Sequence, residues 1–191
     1  MEEYLLYGSG GHAKVVLECL RSENKSTIGF FDDDASIFFF KNIKVLGKYD
    51  PKRHQDVKVI VTIGNNKTRK TIVEKIKHSF GTTIHRSTLI SPDATLGKGS
   101  MILHRAIIQA DAKIGNHTII NTMAVVEHDC VIEDFVHIAP GAVVCGNVQI
   151  GEGTLIGANS VIAPNLKIGK WCQISAGSAV FEDVPDNTVV K

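Results

Sequence analysis

The segment Glu127-His128-Asp129 places an imidazole between two carboxylates. An unperturbed histidine titrates at about pH 6.5, so this ring can accept a proton from a nucleophile at neutral pH. A carboxylate beside a catalytic imidazole fixes its tautomer. Asp129 can do this only at a corner of the chain, because neighbouring side chains of a strand point to opposite faces. The segment therefore predicts a general base with an orienting acid.

A glycine-rich segment near the N-terminus predicts a phosphate site. Residues 8–13 read GSGGHA, which matches the G-x-G-x-x-G/A loop between a first strand and a first helix. Glycines let the backbone approach a phosphate, and the free N–H groups at the helix start favour its charge. Asp32 and Asp33 follow about twenty residues later, where such folds place a carboxylate for a ribose hydroxyl. A tight turn would explain the glycines alone, but loop, helix and acids together favour a nucleotide.

The pattern around this loop predicts the elements that hold it. An apolar strand precedes it, and the following helix has an apolar stripe that includes Val16 and Leu20. Two more apolar strands, STIGFF and VKVIVTIG, and a charged helix, KTRKTIVEKIKHS, complete the pattern. This order predicts a parallel three-layer α/β domain over residues 1–85. The domain is too short for a two-halved dinucleotide fold, so a mononucleotide or nucleotide-sugar is favoured over NAD.

The second half of the chain repeats every six residues. Sixteen aliphatic residues recur at this spacing from Ile90 to Val180, and a small or modest side chain follows four positions after each. A period of six fits neither a helix nor an alternating strand and is typical of a parallel β-helix of hexapeptides. Fifteen hexads predict five triangular coils of eighteen residues, within a domain at 86–191 and with the aliphatic side chains inside.

The eighteen-residue coil relates residues that are distant along the chain. A residue eighteen positions later lies one strand spacing above, about 4.8 Å away, so Gly146 should lie over His128. His137 is half a coil from His128, and the two rings could meet only if a second copy packs alongside, which predicts sites between subunits of a symmetric oligomer. Three histidine ligands do not converge at these spacings, so we predict no metal site. The remaining histidines that we expect to be solvated are His54, His78, His85, His104 and His117.

Composition narrows the class of partner. The chain has 191 residues, 43% of them hydrophobic, and a net charge of +1 without a long basic run, which disfavours nucleic acid. The N-terminal MEEYLLYGSG shows no signal peptide or membrane span, so we expect a cytoplasmic protein. The four cysteines show no CxxC spacing, and Cys130 and Cys172 occupy the small corner position of their hexads. Packing in a reducing compartment is therefore the favoured interpretation.

Together these motifs resemble the sugar acyltransferase family that includes bacillosamine-pathway UDP-4-amino-sugar N-acetyltransferases and sialic acid O-acetyltransferases. The resemblance covers nearly the whole chain and depends on the combination of GSGGH, IGNN and EHD…H…G with the hexads. It implies a left-handed β-helix, although crossover rules ordinarily favour the right hand. It also implies a homotrimer, a Rossmann-like N-terminal domain that binds a UDP-sugar, and acetyl-CoA between neighbouring β-helices.

The resemblance also assigns roles to residues. His128 matches the general base of the family, and Asp129 stands where the bacillosamine-pathway enzymes carry glutamate. His137 matches a histidine that contacts acetyl-CoA from the neighbouring subunit. Gly146 matches a glycine that lines the thioester, whose N–H could stabilise an oxyanion. The positions that match nucleotide-sugar contacts are Gly10, His12, Asp32, Asp33 and Asn65. The chain ends at NTVVK without the VGxPA-type segment that lies near bound CoA in the family, which bears on cofactor affinity.

The favoured activity is direct N-acetyl transfer from acetyl-CoA to the 4-amino group of a UDP-linked amino-dideoxy sugar, with His128 as the base. O-acetylation of sialic acid or a related sugar is the nearest alternative, because a hydroxyl needs a base even more than an amine does. The glycine loop and its acids favour the nucleotide-bearing acceptor. A purely structural solenoid is the alternative from another class, and it would leave the EHD segment and the first domain without a role.

Overall fold

The computed structural model describes residues 2–191 and contains an α/β unit followed by a left-handed parallel β-helix, as predicted. The elements of the first unit are β1 (Glu3–Tyr7), α1 (Gly11–Ser22), β2 (Ser26–Phe31), β3 (Phe39–Phe40), β4 (Ile43–Lys44), β5 (Lys58–Val61) and α2 (Asn66–Val73). Strands β2, β1 and β5 form a parallel sheet in that order, and β3 and β4 form a small antiparallel hairpin. No helix of residues 2–191 is long and apolar enough to cross a membrane.

Alternating side chains of β1 separate two cores. Tyr4 and Leu6 pack with α1 and with side chains of the β-helix, whereas Leu5 packs with Ile72 of α2 on the other face of the sheet. Helix α2 ends at Val73, six residues before the end of the predicted charged helix. The reason is a tertiary contact: the hydroxyl of Tyr49 accepts the N–H of Lys77 at 2.7 Å, and the chain then turns to run beside β5.

The β-helix consists of eighteen strands of two residues, β6 to β23. They are β6 (Thr83–Ile84), β7 (Leu89–Ile90), β8 (Thr95–Leu96), β9 (Met101–Ile102), β10 (Ile107–Ile108), β11 (Lys113–Ile114), β12 (Ile119–Ile120), β13 (Val125–Val126), β14 (Val131–Ile132), β15 (His137–Ile138), β16 (Val143–Val144), β17 (Gln149–Ile150), β18 (Leu155–Ile156), β19 (Val161–Ile162), β20 (Lys167–Ile168), β21 (Gln173–Ile174), β22 (Ala179–Val180) and β23 (Val189–Val190). Strands eighteen residues apart pair in parallel, as Ile108 with Val126 and Val126 with Val144.

The strands form three faces. The apolar face consists of β7, β10, β13, β16, β19 and β22, and the polar face consists of β8, β11, β14, β17 and β20. The domain face consists of β6, β9, β12, β15, β18, β21 and β23, and α1 packs against its first coils. The eighteen strands make six coils rather than the predicted five. Ile84 shares the hexad phase but precedes the run that we counted, and Val190 pairs with Ile174 after a coil shortened to sixteen residues.

One position of each hexad has a left-handed backbone. From Gly99 to Gly177, every sixth residue has a positive φ between 53° and 74°. This position lies three residues after the interior aliphatic side chain and turns the chain at a corner. Glycine, asparagine and aspartate tolerate this conformation best, and they fill nine of the fourteen positions. These nine are Gly99, Asp111, Asp129, Gly141, Asn147, Gly153, Asn159, Asn165 and Gly177. Asp129, with φ 61°, is therefore at a corner, as its predicted role requires.

Candidate active site

His128 and Asp129 form a hydrogen-bonded pair in the turn between β13 and β14. Nδ1 of His128 lies 2.7 Å from Oδ2 of Asp129. A carboxylate only accepts hydrogen bonds, so Nδ1 carries the proton and Nε2 is left as the basic atom. The hydrogen bond from the ring to Asp129 raises the pKa of His128 above its ordinary value, because the carboxylate stabilises the imidazolium. Both side chains are more than half exposed, so a substrate can reach the imidazole.

Gly146 lies directly against the His128 ring. A Cβ atom at this position would come within 2.7 Å of Cε1 and Nε2 of the imidazole, so any larger residue would displace the ring. The structure thus places the two residues as the eighteen-residue spacing predicts. The carbonyl of Gly146 accepts the N–H of Asn165 at 3.0 Å, whereas its own N–H makes no hydrogen bond to residues 2–191. This N–H is free to donate to a ligand beside the imidazole.

His137 lies on β15 in the domain face, away from His128, and faces the α/β unit of its own chain. Its Nδ1 is 3.3 Å from the carbonyl of Gly64, and its Nε2 is 3.0 Å from Nδ2 of Asn121. Burial, with a smaller effect of the Arg69 charge, lowers the pKa of His137 to about 3. The ring is therefore neutral at physiological pH. The contact with acetyl-CoA that we expect for His137 stays a prediction, and Asn121 is a neighbour that the sequence analysis did not single out.

His12 lies beside His137, with 6.4 Å between the ring centroids. Burial lowers the pKa of His12 to about 4, and Arg69 adds to the shift. Its Nε2 is buried and has no hydrogen-bond partner among residues 2–191. An unpaired buried ring nitrogen is costly, which marks it as an atom available to a bound ligand. We expected His12 beside a nucleotide-sugar, and the structure groups it with His137 at the junction of the two units.

The acids after β2 organise the glycine loop. Oδ2 of Asp32 accepts the N–H of Ser9 at 2.7 Å and its hydroxyl at 2.6 Å, and Oδ1 accepts the N–H of Asp34 at 2.9 Å. Burial alone would raise the pKa of Asp32, but these hydrogen bonds outweigh it and the pKa is lowered. Asp33 accepts the hydroxyl of Tyr7 at 3.0 Å. Both predicted ribose ligands therefore already have protein donors, and Asp32 holds the glycine loop through Ser9.

The other predicted contacts lie at helix N-termini. Gly10 is the N-cap of α1, and a Cβ there would meet no atom within 4 Å, so the space over it is open. Asn65 is the N-cap of α2, and its Oδ1 accepts the N–H of Thr68 at 2.9 Å. Asn65 also lines a cleft of about 420 Å³ that extends along the domain face to Trp171. The two N-termini leave backbone N–H groups for an anionic ligand.

Two histidines that we expected to be solvated are buried, and this expectation was wrong. His78 is 5% exposed and contacts the Tyr49 hydroxyl at 2.8 Å. His117 is 7% exposed and stacks on Phe135, with ring centroids 5.2 Å apart. The corner position of the hexad stacks residues eighteen apart, so a histidine there can lie on an aromatic ring. Within residues 2–191 no three His, Cys, Asp or Glu side chains cluster as a metal site would require.

Comparison with known proteins covers both units. Residues 4–76 match the family model described as the PglD N-terminal domain, and residues 102–190 match that of the GMPPB C-terminal domain. UDP-N-acetylbacillosamine N-acetyltransferase of Bacillus subtilis (strain 168) is 37% identical over 116 residues, which are 54% of this chain and 52% of that protein. The match therefore spans about half the length of this curated relative.

Solved structures match over almost the full chain. Perosamine N-acetyltransferase from Caulobacter crescentus, in complex with CoA and GDP-perosamine, has 32% identity and a TM-score of 0.92 over 99% of this chain and 93% of its own. The acetyltransferase domain of PglB from Neisseria gonorrhoeae FA1090, in complex with acetyl coenzyme A, has 30% identity and a TM-score of 0.89 over 98% and 95%. Both units and the turn that carries His128 lie within these matched regions.

Proposed function

Because this chain belongs to the family of hexapeptide-repeat sugar N-acetyltransferases, we propose that it transfers the acetyl group of acetyl-CoA to an amino group of a nucleotide-linked sugar. The observation that carries the proposal is the His128–Asp129 pair with its basic Nε2 beside the free N–H of Gly146. A UDP-linked 4-amino-dideoxy sugar is the favoured acceptor. A GDP-linked amino sugar is the second candidate, since the complex with GDP-perosamine is similar over nearly the whole chain.

The proposed reaction is a direct transfer. Nε2 of His128 removes a proton from the sugar amine as the nitrogen attacks the thioester carbonyl. The new C–N bond forms, the C–S bond breaks, and CoA leaves as a thiolate that takes up a proton. The N–H of Gly146 donates to the carbonyl oxygen while it bears negative charge. Positioning of the two substrates supplies much of the rate, and the base adds about 10²–10⁴-fold.

The apolar face supports an assembly in which the site lies between copies. Its outward side chains form one column in which every residue is apolar and none is fully buried: Leu89, Ile107, Val125, Val143, Val161 and Ala179. The polar face carries mostly polar residues at the same position, with Val131 as an exception. Continuous exposed apolar surface is typical of an interface. We propose a homotrimer in which this column packs on a second copy. This packing brings His137 of one copy towards His128 of the other.

The proposed function is tested by mixing purified protein with acetyl-CoA and one acceptor, then following released thiol. We expect thiol release and an equimolar N-acetylated product with a UDP-linked 4-amino sugar or with GDP-perosamine. Release with free sialic acid alone would favour the O-acetyltransferase alternative. Thermal shifts with CoA, UDP and GDP complete the test, because a bound ligand stabilises the folded state. No shift and no turnover would favour a structural solenoid.

Replacing Asp129 with alanine should move the pH dependence of the reaction. In the native chain the carboxylate raises the pKa of His128, so kcat/KM rises with pH through a value above about 6.5. Without it the pKa falls, and the acidic limb of the profile should shift to lower pH. We expect the plateau to fall about tenfold, since the tautomer is no longer fixed. Rates measured from pH 5.5 to 9 check this, and Asp129→Glu should keep the native limb; an unmoved limb in Asp129→Ala would contradict the pairing.

A further inference from the structure

Arg69 of α2 is fully buried and forms no ion pair within residues 2–191. Burying a guanidinium without an anion is costly, and burial lowers the pKa of Arg69 to about 9. Such a residue is unusual in a protein interior, where buried charges are ordinarily paired. The cost is offset only if every N–H group is satisfied by good acceptors. The fold therefore holds the N–H groups of Arg69 in fixed positions.

The five N–H groups of the guanidinium are all directed at oxygen atoms. Nε donates to the carbonyl of His117 at 2.9 Å, and Nη2 donates to the carbonyl of Phe135 at 2.8 Å. Nη2 also donates to Oδ1 of Asn66 at 2.8 Å. Nη1 donates to the carbonyls of the loop after β5, residues 63 and 64, at 3.0 and 3.2 Å. Arg69 thus joins that loop to two corners of the β-helix.

The Gly64 carbonyl is shared between Arg69 and His137, whose Nδ1 lies 3.3 Å from it. The other side of the His137 ring has an equally fixed partner. Oδ1 of Asn121 accepts the N–H of Thr122 at 2.8 Å, so Nδ2 of Asn121 is the atom directed at Nε2 of His137. An amide nitrogen can only donate, so Nε2 accepts and Nδ1 carries the proton. The contacts therefore select one tautomer of His137.

We propose that Arg69 is a positioning residue that holds His137 in its Nδ1-protonated tautomer by fixing the Gly64 carbonyl to which Nδ1 donates. Without the guanidinium, that loop loses its hydrogen-bonded connection to the carbonyls of His117 and Phe135, and the Gly64 carbonyl loses the donor that fixes its direction. Burial lowers the pKa of His12 and of His137, and the positive charge of Arg69 adds a smaller effect in the same direction, so both rings stay neutral. Only the consequence for acetyl transfer rests on the proposed function, because the tautomer is a property of the folded chain.

The test is a long-range ¹H–¹⁵N correlation spectrum of the imidazole groups, with His137 identified by its loss in His137→Gln. In the native protein at pH 7 we expect Nδ1 of His137 protonated and Nε2 unprotonated. In Arg69→Met we expect both nitrogens to show averaged shifts from a mixture of tautomers. The control is Arg86→Met, which removes another arginine hydrogen bond between the two units, to the Ser22 carbonyl, and should leave His137 unchanged.

Activity provides the second measurement. We expect kcat/KM for acetyl-CoA to fall about 10–100-fold in Arg69→Met and to stay near the native value in Arg86→Met. If Arg69→Met does not fold, Arg69→Lys, which keeps the charge but not the five donors, replaces it. A native spectrum with the proton on Nε2 of His137, or an unchanged spectrum in a folded Arg69 variant, would overturn the proposal. A native protein without acetyl transfer would count against the proposed function instead, and the spectra would still be readable.

Discussion

Replacing His128 with alanine is expected to lower kcat by at least about two decades while leaving CoA binding largely intact. The reason is geometric: Nε2 is the one basic atom of the His128–Asp129 pair, and Gly146 leaves it uncovered on one side. If no base removes a proton from the attacking neutral amine, the tetrahedral intermediate carries a positively charged nitrogen, and the amine is expelled again before the C–S bond breaks. Steady-state rates with a nucleotide-linked amino sugar measure kcat, and the thermal shift with CoA measures binding.

Two further variants test whether the loss of kcat is specific to His128 and whether it depends on the position of the His128 ring. His54→Ala removes an exposed histidine of the α/β unit and should leave kcat unchanged. Gly146→Ala should displace the imidazole, because the new Cβ would lie 2.7 Å from Nε2, and should lower kcat without preventing folding. In the His128→Ala background the same glycine change should cost less, since no ring remains to be displaced. A native kcat in His128→Ala would remove this residue from the mechanism.

Replacing Val143 with glutamate is expected to dissociate the assembly and to remove more than about 99% of the activity. Val143 lies in the middle of the apolar column, where a carboxylate would be buried against a second copy without a partner. The isolated chain should still fold, because this side chain points out of the β-helix and is partly exposed. Light scattering coupled to size-exclusion chromatography measures the mass, and the thiol assay measures the activity.

Val131→Glu is the matched control for this prediction. Val131 has the same position in its two-residue strand, but it lies on the polar face and is 36% exposed. The same change there should leave the assembly intact. Equal masses for Val143→Glu and the native protein would contradict the assignment of the apolar face. A Val143→Glu protein that is monomeric yet fully active would contradict a site shared between copies.

The hexad repeat made the β-helix and one part of the site predictable. The strands from β6 to β22 share one length and one phase, so the position of Gly146 over His128 follows from counting eighteen residues. The family resemblance, drawn from motifs, is confirmed by the full-length similarity to solved N-acetyltransferases. The count of coils was wrong at both ends of the repeat, because Ile84 precedes the run that we counted and Val190 follows a shortened coil.

The junction between the two units was not predictable in the same way. Arg69 belongs to a segment that we predicted as a charged helix, and yet its side chain is fully buried. His137 and His12 were assigned to different ligands by resemblance, but they lie side by side. His117 is buried because Phe80 of the α/β unit and Phe135 of the next coil both contact it. The contact of His117 with Phe135 follows the eighteen-residue spacing, but the contacts of His117 with Phe80, of His12 with His137 and of Arg69 depend on how one unit is placed on the other.

The amino-acid sequence by itself determined the coil, its inward aliphatic side chains, the parallel sheet behind the glycine loop and the vertical neighbours of His128. These features depend on local spacing that repeats along the chain, and they can therefore be predicted from the sequence. Only the tertiary structure decided which face the α/β unit covers, which histidines are buried and neutral, and which carbonyls Arg69 binds. Such contacts join residues from both units. Their free energy depends on how the two units pack together, which no local sequence pattern indicates.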